Sequence, residues 1–184
     1  MKNPQSKSIL SLILITSLFL IANIANAGSG RVKARGAKSN VNGGTSTGQV
    51  TAAKGQNGGG FVRARGTTTN GQGQAAGGST AAVNGPNAGA GIRASAFTAD
   101  DSGNVNYQGA SAATGVYGSA ATTGGFNRTQ EGGIKGSRST AATSAATGNT
   151  YNGNTTYDSS TGNVNHTQKC YNSSGVEIKC PKRN

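Results

Sequence analysis

The chain has 184 residues and a formal net charge of +12; 33% of the residues are hydrophobic, 12% are charged and 31 are glycine. Ordinary globular domains are about 45–50% apolar and about 25% charged. Burying a large apolar side chain yields about 1.5–3 kcal/mol, whereas ordering each residue costs about 1–2 kcal/mol of backbone entropy. This composition argues against an enzyme domain built around a hydrophobic core. We expect the chain either to order through backbone hydrogen bonds in a β-sheet or to stay largely disordered.

The first 27 residues have the pattern of a secretory signal peptide. Lys2 and Lys7 precede an apolar run over residues 9–22, and the small residues of Ala25-Asn26-Ala27 follow it. The run is shorter than the roughly 20 residues that cross a membrane, which favours cleavage over an uncleaved anchor. We therefore predict a secreted protein of the extracellular space or cell surface, with the periplasm as the alternative, and no membrane span after cleavage.

Three segments recur at a constant spacing of 30 residues: Arg31–Gly36, Phe61–Gly66 and Gly91–Ala96. Each places Val or Ile, then a cation, then Ala, at equivalent sites. The alternation of cationic with small or apolar residues is typical of a strand with two different faces. A fixed period indicates a repeat architecture.

Glycine followed by an amide residue recurs between the strand-like segments, and we interpret these sites as tight turns because Gly and Asn tolerate a positive φ. They are Thr47–Val50, Asn70–Gln72, Ser102–Val105, Thr147–Asn149 and Thr161–Val164. No segment after residue 27 has the apolar periodicity of a helix. The predicted fold class is all-β, a repetitive short-strand meander or a β-solenoid that follows an N-terminal signal helix, with disordered glycine-rich stretches as an alternative for part of the chain.

Composition divides the chain into four segments. These are the signal peptide (1–27), a Gly/Ala/Thr-rich β-repeat region (28–148), a C-terminal β-hairpin region (149–180) and a basic tail (181–184). In the hairpin region, alternating Thr and Asn predict a strand after Thr150. Further strands are predicted from Asn163 to Tyr171 and from Val176 to Cys180.

Cys170 and Cys180 are the only cysteines. A turn at Ser174-Gly175 would place them opposite each other on paired strands, close enough for a disulfide after a small adjustment. Export to an oxidising compartment permits the bond. The alternatives are two free thiols or half of a metal site, but one histidine and no further cysteine cannot complete a four-ligand zinc site. We predict a disulfide, no metal site and no cofactor.

Residues with catalytic chemistry are few. His166 is the only histidine, and the sequence offers it no nucleophile or orienting carboxylate. Three of the five acidic residues, Asp100, Asp101 and Asp158, lie where turns are predicted, which is the usual place for aspartate. A paired-carboxylate mechanism needs a dry cleft, which this composition does not favour. We predict that the protein is not an enzyme.

Positive charge is the main functional indication. If the repeats stack as strands, Lys33, Arg63 and Arg93 fall in one row, and Arg35 and Arg65 in another. Such a face would attract polyanions with salt-dependent affinity. The predicted polyanion-binding residues are Arg31, Lys33, Arg35, Arg63, Arg65 and Arg93. The predicted partners are acidic polysaccharide, lipopolysaccharide and extracellular DNA.

An alternative interpretation assigns the positive charge no ligand. In that interpretation the charge keeps a glycine-rich chain soluble and prevents other chains from pairing with the sheet edges. Phe61 is also the only aromatic residue between residues 28 and 96, so stacking on nucleic-acid bases is not expected.

Low hydrophobicity, many small residues, internal repeats and a signal peptide make the chain similar to secreted bacterial fibre and matrix subunits of the curli type. The resemblance is compositional and extends over residues 28–168. The curli repeat is built on spaced Ser, Gln, Gly and Asn, whereas Arg and Ala are prominent here, and no site residue is carried over.

The resemblance implies self-association by β-assembly and a structural or adhesive role at the cell surface or in the extracellular matrix. One alternative is a secreted monomer that binds anionic polysaccharide, lipopolysaccharide or DNA through a basic face. The other alternative is a largely disordered glycine-rich protein.

Overall fold

The computed structural model describes residues 29–41, 43–86 and 89–181, and these form one antiparallel sheet of eleven strands without any helix. The strands are β1 (Gly30–Ser39), β2 (Thr45–Lys54), β3 (Gly60–Thr69), β4 (Ala75–Asn84), β5 (Ala90–Ala99), β6 (Val105–Gly115), β7 (Gly118–Arg128), β8 (Ile134–Ser144), β9 (Thr150–Asp158), β10 (Asn163–Tyr171) and β11 (Glu177–Ile178). Each strand pairs with the next along the chain. The all-β prediction is confirmed, and its form is the meander. The predicted signal peptide and residues 182–184 of the predicted tail lie outside the described residues.

The 30-residue repeat consists of two strand-and-turn units. From β1 to β5 each strand has ten residues, and five residues separate consecutive strands. In the turn from Asn40 to Gly44, the N–H of Asn40 donates to the carbonyl of Gly44, and the N–H of Gly43 donates to the carbonyl of Asn40. The turn after β5 has the same pattern, and its Gly103 has a φ of 80°. Hairpin turns of this length need one residue at positive φ, which glycine supplies.

This arrangement excludes the solenoid alternative, because strands 30 residues apart do not pair with each other. β1 and β3 instead lie on either side of β2. β8 pairs with β9 along residues 135–143, so the sheet runs without interruption from the predicted repeat region into the predicted C-terminal region.

One predicted turn is wrong, because residues 47–50 lie inside β2. Gly48 pairs there with Gly36 of β1 and Gly66 of β3. The glycine belongs to a row of glycines that crosses neighbouring strands, and strand pairing therefore overrides its local turn preference. The described turns do contain residues 70–72, 102–104, 147–149 and 161–162, as predicted.

The two faces of the sheet differ in chemistry. Successive residues of a strand point to opposite faces, and directly paired residues share a face. We call the face that carries Arg31, Lys33 and Arg35 the arginine face, and the opposite face the alanine face. One row of the alanine face is Val32, Ala52, Val62, Ala82, Ile92, Ala112, Ala121 and Ala141.

The sheet is thin, and few of its described residues are buried. Ala52 and Ala64 are 1% and 2% exposed, and no large side chain among the described residues is fully buried. Hydroxyl pairs link neighbouring strands instead, such as Thr47 with Thr67 at 2.8 Å and Ser79 with Ser95 at 3.0 Å. Backbone pairing and such cross-strand side-chain pairs hold the sheet together.

The predicted disulfide between Cys170 and Cys180 is confirmed. The predicted placement of the two cysteines directly opposite each other is wrong, because Cys170 pairs with Ile178. The turn is centred one residue earlier than predicted, since the side-chain oxygen of Asn172 accepts hydrogen bonds from the N–H groups of Ser174 and Val176. The last strand is accordingly β11, shorter than the predicted Val176–Cys180, whereas β10 has the predicted bounds.

Candidate polyanion-binding face

The structure places the predicted cationic rows in register. Lys33, Arg63 and Arg93 lie in one row on β1, β3 and β5, with Thr51 and Ala81 between them. Because the intervening strands are antiparallel and carry uncharged residues at these positions, neighbouring cations are two strand separations apart, about 9.4–9.8 Å. This spacing keeps the repulsion within the row low, since charges exposed to water at such separations interact weakly.

The second predicted row is also present. Arg35 and Arg65 lie on either side of Gln49. The Nη2 atom of Arg65 donates a hydrogen bond of 2.7 Å to the Oε1 atom of Gln49. The amide thus fixes one edge of the guanidinium group and leaves its remaining N–H groups available to a ligand.

The arginine face carries two cations that the sequence analysis did not include. Together with the six predicted residues, these two bring the number of cations on the face to eight, and all eight are exposed: Arg31, Lys33, Arg35, Arg63, Arg65, Arg93, Arg128 and Arg138. The 30-residue spacing misses Arg128 and Arg138 because β6, β7 and β8 have eleven residues and only residues 116 and 117 separate β6 from β7. The alternation of side chains between the two faces would have placed Arg128 and Arg138 on this face, had the shorter turn been recognised.

Acidic side chains are segregated from this face. In the strands of the described part of the chain, no Asp or Glu points to the arginine face. Asp158 and Glu177 lie on the alanine face, where they pair with Lys135 at 3.1 Å and Lys169 at 3.2 Å. Hydrogen bonds from Ser160 and Lys135 lower the pKa of Asp158, and Glu177 raises the pKa of Lys169. Carboxylates therefore neutralise part of the positive charge on the alanine face, whereas no strand carboxylate neutralises the cations of the arginine face.

The kind of cation also differs between the faces. Seven of the eight cations on the arginine face are arginine, whereas the strands of the alanine face carry Lys38, Lys54, Lys135 and Lys169. A guanidinium group presents a planar fork that binds carboxylate, sulfate or phosphate oxygens in pairs, and it is less strongly hydrated than an ammonium group. The arginine face is thus the one suited to bind oxyanions.

Three of the six aromatic side chains that the strands place on the arginine face form a cluster that was not expected there. Phe97, Tyr107 and Phe126 are direct neighbours on β5, β6 and β7. The rings of Tyr107 and Phe126 are stacked, with centroids 5.3 Å apart. The sequence analysis considered rings only within residues 28–96, and pairing of the later strands brings these three next to the row of Arg35 and Arg65.

The remaining candidate groups form no metal-binding cluster in the described residues. His166 lies on the exposed strand β10, and its Nδ1 atom is 2.9 Å from the hydroxyl of Thr155. No group of three or more His, Cys, Asp and Glu residues is placed to hold a metal ion in that part of the chain. Across the same ranges, the structure contains no helix of the length and hydrophobicity needed to cross a membrane.

Comparisons with protein-family models, curated proteins and solved structures find none that matches this chain. The functional argument therefore rests on the chemistry of the two faces and on the edges of the sheet.

Proposed function

We propose that the protein is an exported, non-enzymatic component of the cell surface or extracellular matrix that adheres to polyanions through its arginine face. One observation carries the proposal: eight exposed cations share this face, while the ion-paired carboxylates lie on the other. Acidic polysaccharide, lipopolysaccharide and extracellular DNA are the ligands that an exported protein of this charge would meet. Their binding releases counterions and therefore weakens steeply with salt.

Export is supported by the signal-peptide pattern of the sequence and by the disulfide, since disulfides persist in oxidising compartments. The sheet also supports a binding role, because a single open sheet of exposed strands can present rows of charge but buries few of its side chains. Adhesion requires only such rows, whereas acid–base or nucleophilic catalysis requires oriented groups in a protected site.

Replacing Lys33, Arg63 and Arg93 together by serine should shift elution from immobilised heparin to lower salt. Each contact with a nucleic-acid phosphate contributes about 0.7–0.9 to the slope of log K against log salt. For a single-stranded oligonucleotide, loss of three contacts should therefore reduce that slope by about 2. Retention and slope are measured on the full chain, with far-ultraviolet circular dichroism as a check of the sheet.

The matched control removes three cations from the other face, with Lys38, Lys54 and Lys169 replaced by serine. Both triple variants have the same net charge, so the proposal requires that the control keep most of its retention and slope. Equal losses in the two variants would show that net charge, and not the arginine face, governs binding.

A second candidate function is assembly of the sheet into fibres, and the open edges favour it. Within the described residues β1 pairs only with β2, and β11 covers only Cys170 and Tyr171 of β10. Because β1 and β10 run in opposite directions, β1 of a second copy laid against β10 would continue the antiparallel sheet. Head-to-tail contacts that do not close into a ring produce filaments.

Assembly through the β10 edge should decrease when lysine replaces Val164 and Thr167, because lysines on an edge oppose strand addition. Thioflavin fluorescence and electron microscopy at high protein concentration measure the effect. Lysine at Val116 and Tyr117, two turn residues that are 68% and 91% exposed, serves as the charge control and should assemble like the unchanged protein. A wild-type chain that stays monomeric at high concentration would contradict this second candidate.

A further inference from the structure

A groove of about 720 Å³ crosses the arginine face from β1 to β6. Arg35 and Arg65 line one end, and Phe97 and Tyr107 line the other. The groove runs across the strands, so a linear ligand lying in it would contact side chains from successive strands about 4.7–4.9 Å apart. Its two ends differ chemically, since one end offers charge and the other offers aromatic rings.

The groove is polar but uncharged beyond the arginines, at Ser79 of β4 and Ser95 of β5, and a threonine pair of β2 and β3 lies beside the arginines. The hydroxyls of Ser79 and Ser95 bond to each other at 3.0 Å, and those of Thr47 and Thr67 at 2.8 Å. A hydroxyl both donates and accepts, so each of these pairs can exchange its partner for a ligand hydroxyl without leaving a polar atom unsatisfied. A ligand rich in hydroxyl groups therefore suits this section better than an apolar ligand.

The rings at the aromatic end lie along the sheet and do not project from it. A Cβ atom added at Gly77 would lie 2.6 Å from Cε1 of Phe97, and one added at Gly109 would lie 3.1 Å from the hydroxyl oxygen of Tyr107. The two rings thus cover glycine positions, as aromatic residues do when they shield glycine in a sheet. Phe97 and Tyr107 are half-buried, which leaves part of each ring available to a ligand.

We infer that this groove binds a linear polysaccharide in which neutral and acidic sugars alternate. This inference rests on the proposed function and names the ligand class for the same face. The acidic groups pair with the guanidinium groups of Arg35 and Arg65, the sugar hydroxyls replace the Ser and Thr pairs, and the C–H face of a sugar ring packs on Phe97 and Tyr107. The half-buried rings and exposed guanidinium groups supply these contacts without any rearrangement of the backbone.

The spacing of the cations favours such a polysaccharide over single-stranded nucleic acid. Arg35 and Arg65 are two strand separations apart, about 9.4–9.8 Å, which is similar to the length of a disaccharide in an extended glycan. A polynucleotide carries a charge on every residue, and an aromatic platform for bases would alternate with cations along the whole path. Here the rings are grouped at one end, and hydroxyls occupy the middle.

The test compares four oligomers of equal length on the full chain. The probes are hyaluronan, in which acidic and neutral sugars alternate; oligogalacturonate, in which every sugar is acidic; the neutral chitin oligosaccharide; and oligothymidylate. We expect hyaluronan to bind most tightly once salt suppresses nonspecific attraction. Leucine at Phe97 or Tyr107 keeps an apolar side chain over the glycine but removes the ring, and should weaken hyaluronan binding about tenfold without changing the salt slope.

Leucine at Tyr157, an exposed ring of the same face outside the groove, is the matched control and should bind like the unchanged protein. Should either groove variant fail to fold, the ring proton resonances of Phe97 and Tyr107 in the unchanged protein must shift on addition of hyaluronan. Unshifted rings, unchanged affinity of the leucine variants, or tighter ring-dependent binding of oligothymidylate would overturn the inference. None of these results would remove heparin binding through Lys33, Arg63 and Arg93, so failure of the groove is distinguishable from failure of the proposed function.

Discussion

Replacing Gly125 by alanine should destabilise the sheet by about 1–3 kcal/mol, the usual cost of forcing a methyl group into occupied space. Gly125 lies in β7 and pairs with Gln108 of β6. A Cβ atom at this position would overlap the backbone carbonyl oxygen of Tyr107. That oxygen cannot rotate away as a side chain would, so the two strands must separate locally. Urea denaturation followed by circular dichroism measures the change in the free energy of unfolding.

Alanine at Gly48 is the matched control. Gly48 occupies the same row of the alanine face in β2, yet no heavy atom would lie within 4 Å of an added Cβ. There the substitution should stabilise the protein by about 0.4–1 kcal/mol, because alanine reduces the entropy of the unfolded chain. Effects of the same sign at both positions would contradict the strand register that pairs Gly125 with Gln108 and Gly48 with Gly66.

The cationic rows could be predicted from the sequence because the period of the repeat is constant. A spacing of 30 residues returns β3 and β5 to the direction and register of β1, so Lys33, Arg63 and Arg93 must share a row whatever the turns look like. The alternation of cations with small residues placed them on one face for the same reason. The period alone did not reveal the antiparallel strands β2 and β4, which lie between β1 and β3 and between β3 and β5.

The other side chains of the arginine face could not be predicted from the 30-residue spacing. Arg138 reaches the arginine face only because the short turn at residues 116 and 117 shifts the later strands. Phe97, Tyr107 and Phe126 come from three different strands, and their proximity follows from the register of two successive hairpins. The segment 47–50 was misassigned because a local glycine signal is the same in a turn and in a strand row.

The segregation of charge has a structural consequence beyond binding. Carboxylates that pair with lysine on the alanine face partly neutralise it, and the same face carries the row of alanine, valine and isoleucine. A polyanion on the arginine face and strand addition at the edges use different parts of the sheet. The two candidate functions are therefore compatible, and a bound polyanion would reduce the repulsion between the arginine faces of copies joined through β1 and β10.

Removing the disulfide by replacing Cys170 and Cys180 with alanine should release the C-terminal hairpin while the rest of the sheet stays folded. β11 contributes two residue pairs to the sheet, and the bond closes a sequence separation of 10 residues. Closing so short a loop stabilises by at most about 3 kcal/mol, and this contribution acts on the end of the chain alone. Hydrogen exchange should show loss of protection over residues 172–181, with β2 to β9 unchanged.

Glutamine at Glu177 provides the control, because it removes the exposed ion pair with Lys169 and leaves the disulfide intact. Exposed pairs contribute little, so protection of the hairpin should change only slightly. The double alanine variant also uncovers positions 170 and 171, which completes the open edge of β10. If that edge adds strands from other copies, the variant should form fibres sooner than the unchanged protein; cooperative unfolding of the whole sheet would instead show that the disulfide holds more than its hairpin.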